Sequence, residues 1–266
     1  MIDVWNPETF DDDLFATLRA NASLIRDYLV TEKRIFLEQE ALDHWTPRPS
    51  NPHHTSYSSL LEQIIMPILE ARTIRAWHYT RLTDGEVQAI RDSGVHVSMF
   101  EAIRRRLDAQ VAASAFSSDV AERLYAASPA HSAEQQPGRL GKFWMTSHPL
   151  ACDNHGVELL LENWGGECVY FWLRDEDLKR AVASLGKPRI LEVAVPLEAT
   201  NEAYSAAKAT VGSFARTLGC DPDFSLFDLY TKRPLAPDAV LKIHTEGEAG
   251  FGAIGRNYPA GLASVS

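Results

Sequence analysis

The chain has 266 residues, 45% of them hydrophobic, which is enough for a packed core and more than one average domain requires. Its 26 Lys and Arg against 36 Asp and Glu give a formal net charge of −10, which argues against broad nonspecific binding to nucleic acid. No apolar run approaches the ~18 residues that span a bilayer. The three cysteines lack Cys-x-x-Cys spacing and the first residues are acidic, so a soluble cytoplasmic chain is expected, with no membrane segment, disulfide or metal site.

Phe10, Leu14, Phe15, Leu18, Leu24, Ile25, Tyr28 and Leu29 recur at helical spacing, and a second helical run passes through Ile35, Phe36 and Leu42. Prolines 47, 49 and 52 exclude a regular helix and mark an exposed linker between Thr46 and His54, where His53 and His54 read as solvated loop residues rather than metal ligands. A third helix is expected around Leu60 to Leu69, with Pro67 near its end. Residues 1–72 therefore read as a helical extension, a lid or a partner surface.

An apolar strand then leads into Trp77-His78-Tyr79-Thr80-Arg81. Thr83 and Glu86 have the spacing of a capping box, Val87, Ala89 and Ile90 give the following short helix an apolar side, and Gly94 fits a left-handed position after its end. A second strand is expected from Gly94 to Ser98. Taken alone, His78 reads as a satisfied core histidine; in this setting it reads as part of a polar pocket mouth. Residues 99–127 should be largely helical, with Ser118 as a cap, and Arg104-Arg105-Arg106, with Arg91 and Arg139, form either a solvated helix face or a local basic patch. Ser128 to Gly138 reads as a mobile surface loop.

Gly141-Lys142-Phe143-Trp144-Met145-Thr146-Ser147 is an aromatic strand, and a helix is expected behind it through Leu150, Val157, Leu159, Leu160 and Leu161. Strands are expected at Cys168 to Leu173 and Ile190 to Val195, with a helix through Leu178, Val182 and Leu185 between them. The third segment runs from Phe224 to Ile243, with Asp228 followed by the proline-rich stretch Pro234-Leu235-Ala236-Pro237. Residues after Gly250 are expected to be loosely ordered.

These three segments, in this order, resemble the NAD-binding motifs of the ADP-ribosyltransferase superfamily, in its diphtheria-toxin and poly(ADP-ribose) polymerase branch. The resemblance covers roughly residues 73–245 and implies an α+β fold. A split β-sheet core (73–250) would carry the N-terminal helical extension (1–72) and a C-terminal tail (251–266). It implies NAD as substrate: His78, with Thr80 beside it, would hydrogen-bond ribose hydroxyls, and the Tyr79 backbone would hold the carboxamide. Trp144 takes the place of the tyrosine that stacks on nicotinamide, and His155 falls near a second stacking tyrosine. Asp228 stands where the family has glutamate at the start of a strand, the main departure from its pattern, and Glu167 is the reserve acid. The carboxylate would stabilise the oxocarbenium-like charge that develops as nicotinamide leaves.

The implied activity is transfer of ADP-ribose to an acceptor, expected to be a macromolecule, with a protein or small molecule slightly favoured over RNA or DNA, in the setting of a bacterial toxin or antiphage effector whose residues 1–72 would meet an antitoxin or other partner protein. Two other readings stay open, an NAD glycohydrolase and a noncatalytic ADP-ribosyltransferase-like binding module. The chain has no Gly-x-Gly-x-x-Gly after a strand, no Gly-x-x-x-x-Gly-Lys-Ser/Thr and no His-Glu-x-x-His, so dehydrogenase, P-loop and zincin readings lack their parts.

Overall fold

Residues 1–40, 47–223, 226–256 and 258 are described by the structure, a computed structural model. Leu42, Thr46, Phe224, Ser225 and the end of the expected tail lie outside them. The first helices in chain order are α1 (Asp12–Ala20), α2 (Ala22–Glu40), α3 (His54–Leu60), a π turn (Leu61–Ile65) and α4 (Met66–Glu70). Then come β1 (Thr73–Leu82), α5 (Asp84–Ser93), α6 (Phe100–Ala112), α7 (Ser118–Ala126), α8 (Gln136–Arg139), β2 (Phe143–Thr146), α9 (Glu158–Glu162) and α10 (Glu167–Tyr170). The order closes with α11 (Glu176–Ser184), β3 (Lys187–Pro196), α12 (Ala203–Thr217), β4 (Asp228–Thr231) and β5 (Val240–Thr245). This is an α+β architecture with one open antiparallel sheet of five strands, ordered β4-β2-β1-β3-β5.

The chain divides into two units. One contains Met1–Arg75 and Pro196–Phe227, so α12 groups with the N-terminal helices. Local chemistry explains much of its frame. Asp11 caps α1, its carboxylate accepting from the Leu14 N–H at 3.0 Å, and Arg72 Nε donates to the same carboxylate at 2.7 Å. Pro67 has no N–H and its ring crowds the carbonyl four residues back; the wider π turn just before it accommodates the ring without ending the helical path. Along α12, Ala206, Ala207, Ala209, Val211 and Ala215 are buried, small side chains that let neighbouring helices approach closely. The described part of the linker is anchored: Asn51 Nδ2 donates to the Tyr28 carbonyl and to Glu32, each at 3.0 Å.

The other unit contains Ala76–Val195 and the described chain from Asp228 onward. Its capping box forms as the spacing implies, with Thr83 and Glu86 bonding each other's backbone N–H groups. Gly94 has φ +78°, but no strand follows it: Val95 makes one isolated bridge to Leu235. Toward α5 the ladder stops because Ser93 ends the helix and Pro237, opposite it, has no N–H; in the other direction Ser98 bonds the backbone of Gly141 and Lys142 instead. Ser117, not Ser118, caps α7, accepting from the Val120 N–H at 3.2 Å.

The segment Cys168 to Leu173, expected as a strand, begins instead with the helix α10. Gly165 and Gly166 both have positive φ, which breaks the extended chain, and the Val169 and Tyr170 N–H groups bond the Gly166 carbonyl at 2.9 and 3.2 Å, closing a helical turn. The helix expected from Leu150 is confined to Glu158–Glu162, because Asn154 Oδ1 accepts from the Gly156 N–H at 2.8 Å and holds the preceding chain in turns. The Ser128 to Gly138 loop is pinned, with Pro129 and Ala130 buried and Ser128 Oγ donating to the Cys168 carbonyl at 2.6 Å. The tail is packed through its first residues: Phe251 lies in a core cluster with Trp77, Tyr79, Val157, Leu161 and Ile190. A second cluster joins α6, α7, α10 and α11 through Ile103, Leu107, Leu124, Trp164, Val169 and Val182.

A Cβ built on Gly94 would stand 2.0 Å from the Leu235 carbonyl oxygen, against backbone that cannot yield as a side chain would. Gly94→Ala combines that clash with a strained positive φ, itself worth about 1–3 kcal/mol. The unfolding free energy from urea titration should fall by an amount at least that large, and an unfolding free energy equal to that of the wild type would show that this turn is not native.

Candidate functional site

The strands carrying His78, Trp144 and Asp228 are consecutive neighbours, β1, β2 and β4. β2 and β4 are fully registered, from Phe143↔Thr231 through Trp144↔Tyr230 and Met145↔Leu229 to Thr146↔Asp228. β1 and β2, in contrast, register only at Trp77↔Thr146. Beyond that pair a side chain takes over from the backbone ladder.

That side chain is His78. Its Nδ1 lies 2.8 Å from the Trp144 carbonyl oxygen, and since a carbonyl only accepts, Nδ1 carries the proton and Nε2 the lone pair. Burial pushes its pKa down to about 4, opposed by the bond to Trp144 and reinforced by the charge of Arg106. The half-buried imidazole is therefore neutral near pH 7, with one acceptor nitrogen to offer. Its ring lies 4.4 Å from that of Phe143.

Strand alternation then divides the candidates between two faces. Phe143 shares a face with His78. Trp144, paired with Tyr230, and Asp228, paired with Thr146, point to the other. Trp144 is 39% exposed; its indole N–H donates to the Gly138 carbonyl at 2.8 Å, and its ring lies 4.7 Å from that of Tyr230 at 60°. Lys142 Nζ stands 4.1 Å from the Tyr230 ring and 5.2 Å from the Trp144 ring. Asp228 is exposed at the first position of β4.

The remaining candidates are placed as follows. Thr80 is buried. The buried Tyr79 uses its hydroxyl to bind the Leu150 backbone, donating to the carbonyl at 2.8 Å and accepting from the N–H at 2.5 Å. His155 is fully exposed in the turn before α9, with Nδ1 3.4 Å from Glu158. Glu167 opens α10 and is ion-paired with Arg139, whose guanidinium lies over the Phe171 ring at 4.3 Å. The Arg104–Arg106 cluster is largely neutralised: Arg104 pairs with Asp108 and Glu122, and Arg106 pairs with Glu86.

Two residues were not singled out for these roles from the sequence. Phe143 is the aromatic beside His78, and the signal for it was the Gly-x-aromatic spacing of Gly141-Lys142-Phe143. Glu86 does more than cap α5, since its carboxylate also accepts from Trp164 Nε1 and Arg106 Nε, each at 2.7 Å. Burial alone would raise that carboxyl, but the charge of Arg106 and the bonds from Thr83, Trp164 and Arg106 outweigh it and hold it below its ordinary value.

Compared with protein-family models, with curated proteins and with solved structures, the chain has no match in any of the three.

Because the folded-state pKa of His78 lies below its ordinary 6.5, the unfolded chain binds more protons between about 4 and 6.5. The stability linked to this group is thus complete above that window and lost as pH falls through it. By NMR the His78 ring should titrate with a midpoint near 4, and His78→Gln should flatten the dependence of the urea midpoint on pH in the same window. A midpoint near that of free histidine would overturn the burial that keeps the ring neutral.

Proposed function

We propose that the sheet unit binds NAD and acts as an ADP-ribosyltransferase, with an ADP-ribosyltransferase-like split sheet as its core and a macromolecule as acceptor. The observation that carries this reading is the neighbourhood of β4, β2 and β1. The three segments that resemble the family's motifs are adjacent strands, and where β1 and β2 lose their register His78 supplies a neutral ring with one acceptor nitrogen.

The residues present suit the substrate in part. Nε2 of His78 would accept a hydrogen bond from a ribose hydroxyl, with Phe143 supporting the ring. Asp228, where β4 begins, would oppose the positive charge that grows on the ribose as the bond to nicotinamide breaks and its electron pair leaves with the ring. A nucleophile on the acceptor would then bond to the ribose carbon and lose its proton. The setting that suits such chemistry is a bacterial toxin or antiphage effector acting in the cytoplasm, with residues 1–72 as a partner surface.

One observation favours a second reading: alternation turns Asp228 away from the face that carries His78 and Phe143. A carboxylate on the far face suits a noncatalytic ADP-ribosyltransferase-like module that holds NAD without cleaving it.

Incubation with labelled NAD separates the readings. As an ADP-ribosyltransferase the wild type releases nicotinamide and labels a macromolecule, and Asp228→Asn lowers turnover about 10²-fold with little change in NAD affinity. His78→Ala weakens NAD binding by about 1–3 kcal/mol. Asp228→Glu should retain activity or raise it. Nicotinamide release without a labelled macromolecule indicates a glycohydrolase, loss in Glu167→Gln with full activity in Asp228→Asn moves the acid to Glu167, and binding without turnover establishes the module.

A further inference from the structure

The face opposite His78 carries Trp144, which the resemblance would stack on nicotinamide, and beside it an aromatic and two lysines that the NAD reading does not use. Trp144 is 39% exposed although it sits in the middle of the β2 and β4 ladder, where a large aromatic on a covered sheet face would be buried. Its rotamer is already fixed, because the indole N–H is tied to the Gly138 carbonyl at 2.8 Å. A ring so held loses little side-chain entropy when another ring stacks on it. Beside it, Tyr230 supplies a second aromatic surface at 4.7 Å, and Lys142 Nζ stands over both rings.

The charge at this end of the sheet is also distinctive. β2 and β4 pair as far as Phe143↔Thr231, and the residue next beyond that pair is a lysine in each chain segment, Lys142 and Lys232. Neither lysine is ion-paired with a carboxylate among the described residues, unlike Arg104, Arg106 and Arg139 elsewhere in the unit. In a chain of net charge −10, a cation standing over an exposed, pre-oriented tryptophan and a second one residue beyond the end of β4, neither with a counter-charge among the described residues, are local exceptions.

We propose that Trp144, Tyr230, Lys142 and Lys232 form a binding surface for single-stranded nucleic acid. An unpaired base stacks on Trp144 and the neighbouring phosphates meet the two lysines. Every base offers a π face, and an aromatic flanked by cations is the combination that tracks a single strand without reading its sequence. A duplex hides those faces in its stack. An acidic peptide could satisfy the lysines but would leave the exposed indole without a stacking partner. The surface does not depend on NAD cleavage; if the unit is a transferase, it names the class of acceptor.

The test is fluorescence anisotropy of labelled 12-residue oligo(dT) and oligo(U) with the full chain, in the absence of NAD. The wild type should bind both and bind a duplex of the same length more weakly. Trp144→Ala should weaken binding by about fivefold to a hundredfold, the range measured for loss of one stacked base, whereas Trp144→Phe should retain most of the affinity. Lys142→Met and Lys232→Met should each weaken binding and each reduce the slope of log affinity against log salt by about 0.7. Circular dichroism checks that each variant is folded, and the lysine variants keep the test decisive if Trp144→Ala does not fold.

No binding by the wild type, equal binding of duplex, equal competition by poly-glutamate, or unchanged affinity in the lysine variants would each overturn the proposal. Displacement of the oligonucleotide by NAD alone would return Trp144 to the nicotinamide site, overturning the acceptor surface while leaving the NAD reading intact. Oligonucleotide binding with no NAD turnover would do the reverse.

Discussion

One carboxylate, that of Glu86, ties together more of the sheet unit than any other side chain described here. It accepts from the Thr83 N–H and hydroxyl at the start of α5, from the Trp164 indole N–H and from Arg106 on α6. Its acceptor capacity is used by groups from three separate parts of the chain, the condition under which a largely buried charge is stable. Trp164 is itself fully buried, edge-on to Phe116 and beneath the Arg106 guanidinium at 4.9 Å, so the same carboxylate anchors the helical cluster. Because α5 follows β1 directly, this knot pins the end of the strand that carries His78.

With β1 held there, its loose association with β2 acquires a chemical consequence. A continuous ladder would satisfy the Trp144 carbonyl with a backbone N–H and leave no call for a histidine. Instead, the imidazole takes that bond, which fixes its tautomer, while burial fixes its charge. A neutral ring with a single acceptor nitrogen suits a hydroxyl donor and is poorly suited to an anion. The site on this face is therefore defined by polarity rather than by charge.

The other face follows opposite rules. Trp144, Tyr230 and Asp228 stand on a fully registered part of the sheet, Trp144 and Asp228 exposed and Tyr230 half-buried, with Lys142 just beyond one end of the ladder and the Asp228 carboxylate at the other. Two chemically different surfaces thus share one pair of strands. The difference arises from the period of two along β2, where adjacent residues such as Phe143 and Trp144 are delivered to opposite sides.

That period also marks the boundary between what the sequence determined alone and what the tertiary structure decided. The capping box of Thr83 and Glu86, the helical spacing in α1 and α2, the positive φ at Gly94 and the mixed α+β character were all legible, because each depends on contacts within a few residues or on a simple repeat. The same local reading placed His78 and Trp144 on strands, and the resemblance placed Asp228 at the start of a third. It did not show that the three strands are neighbours, that Phe143 rather than Trp144 lies beside His78, or that Glu86 reaches Trp164, 78 residues away. It also took Cys168 to Leu173 as a strand, since an apolar run that short is compatible with either period until Gly165, Gly166 and the packing of Val169 choose between them. Which strand pairs with which, and which face a side chain joins, depend on register between segments far apart in the chain, and no local pattern carries that information.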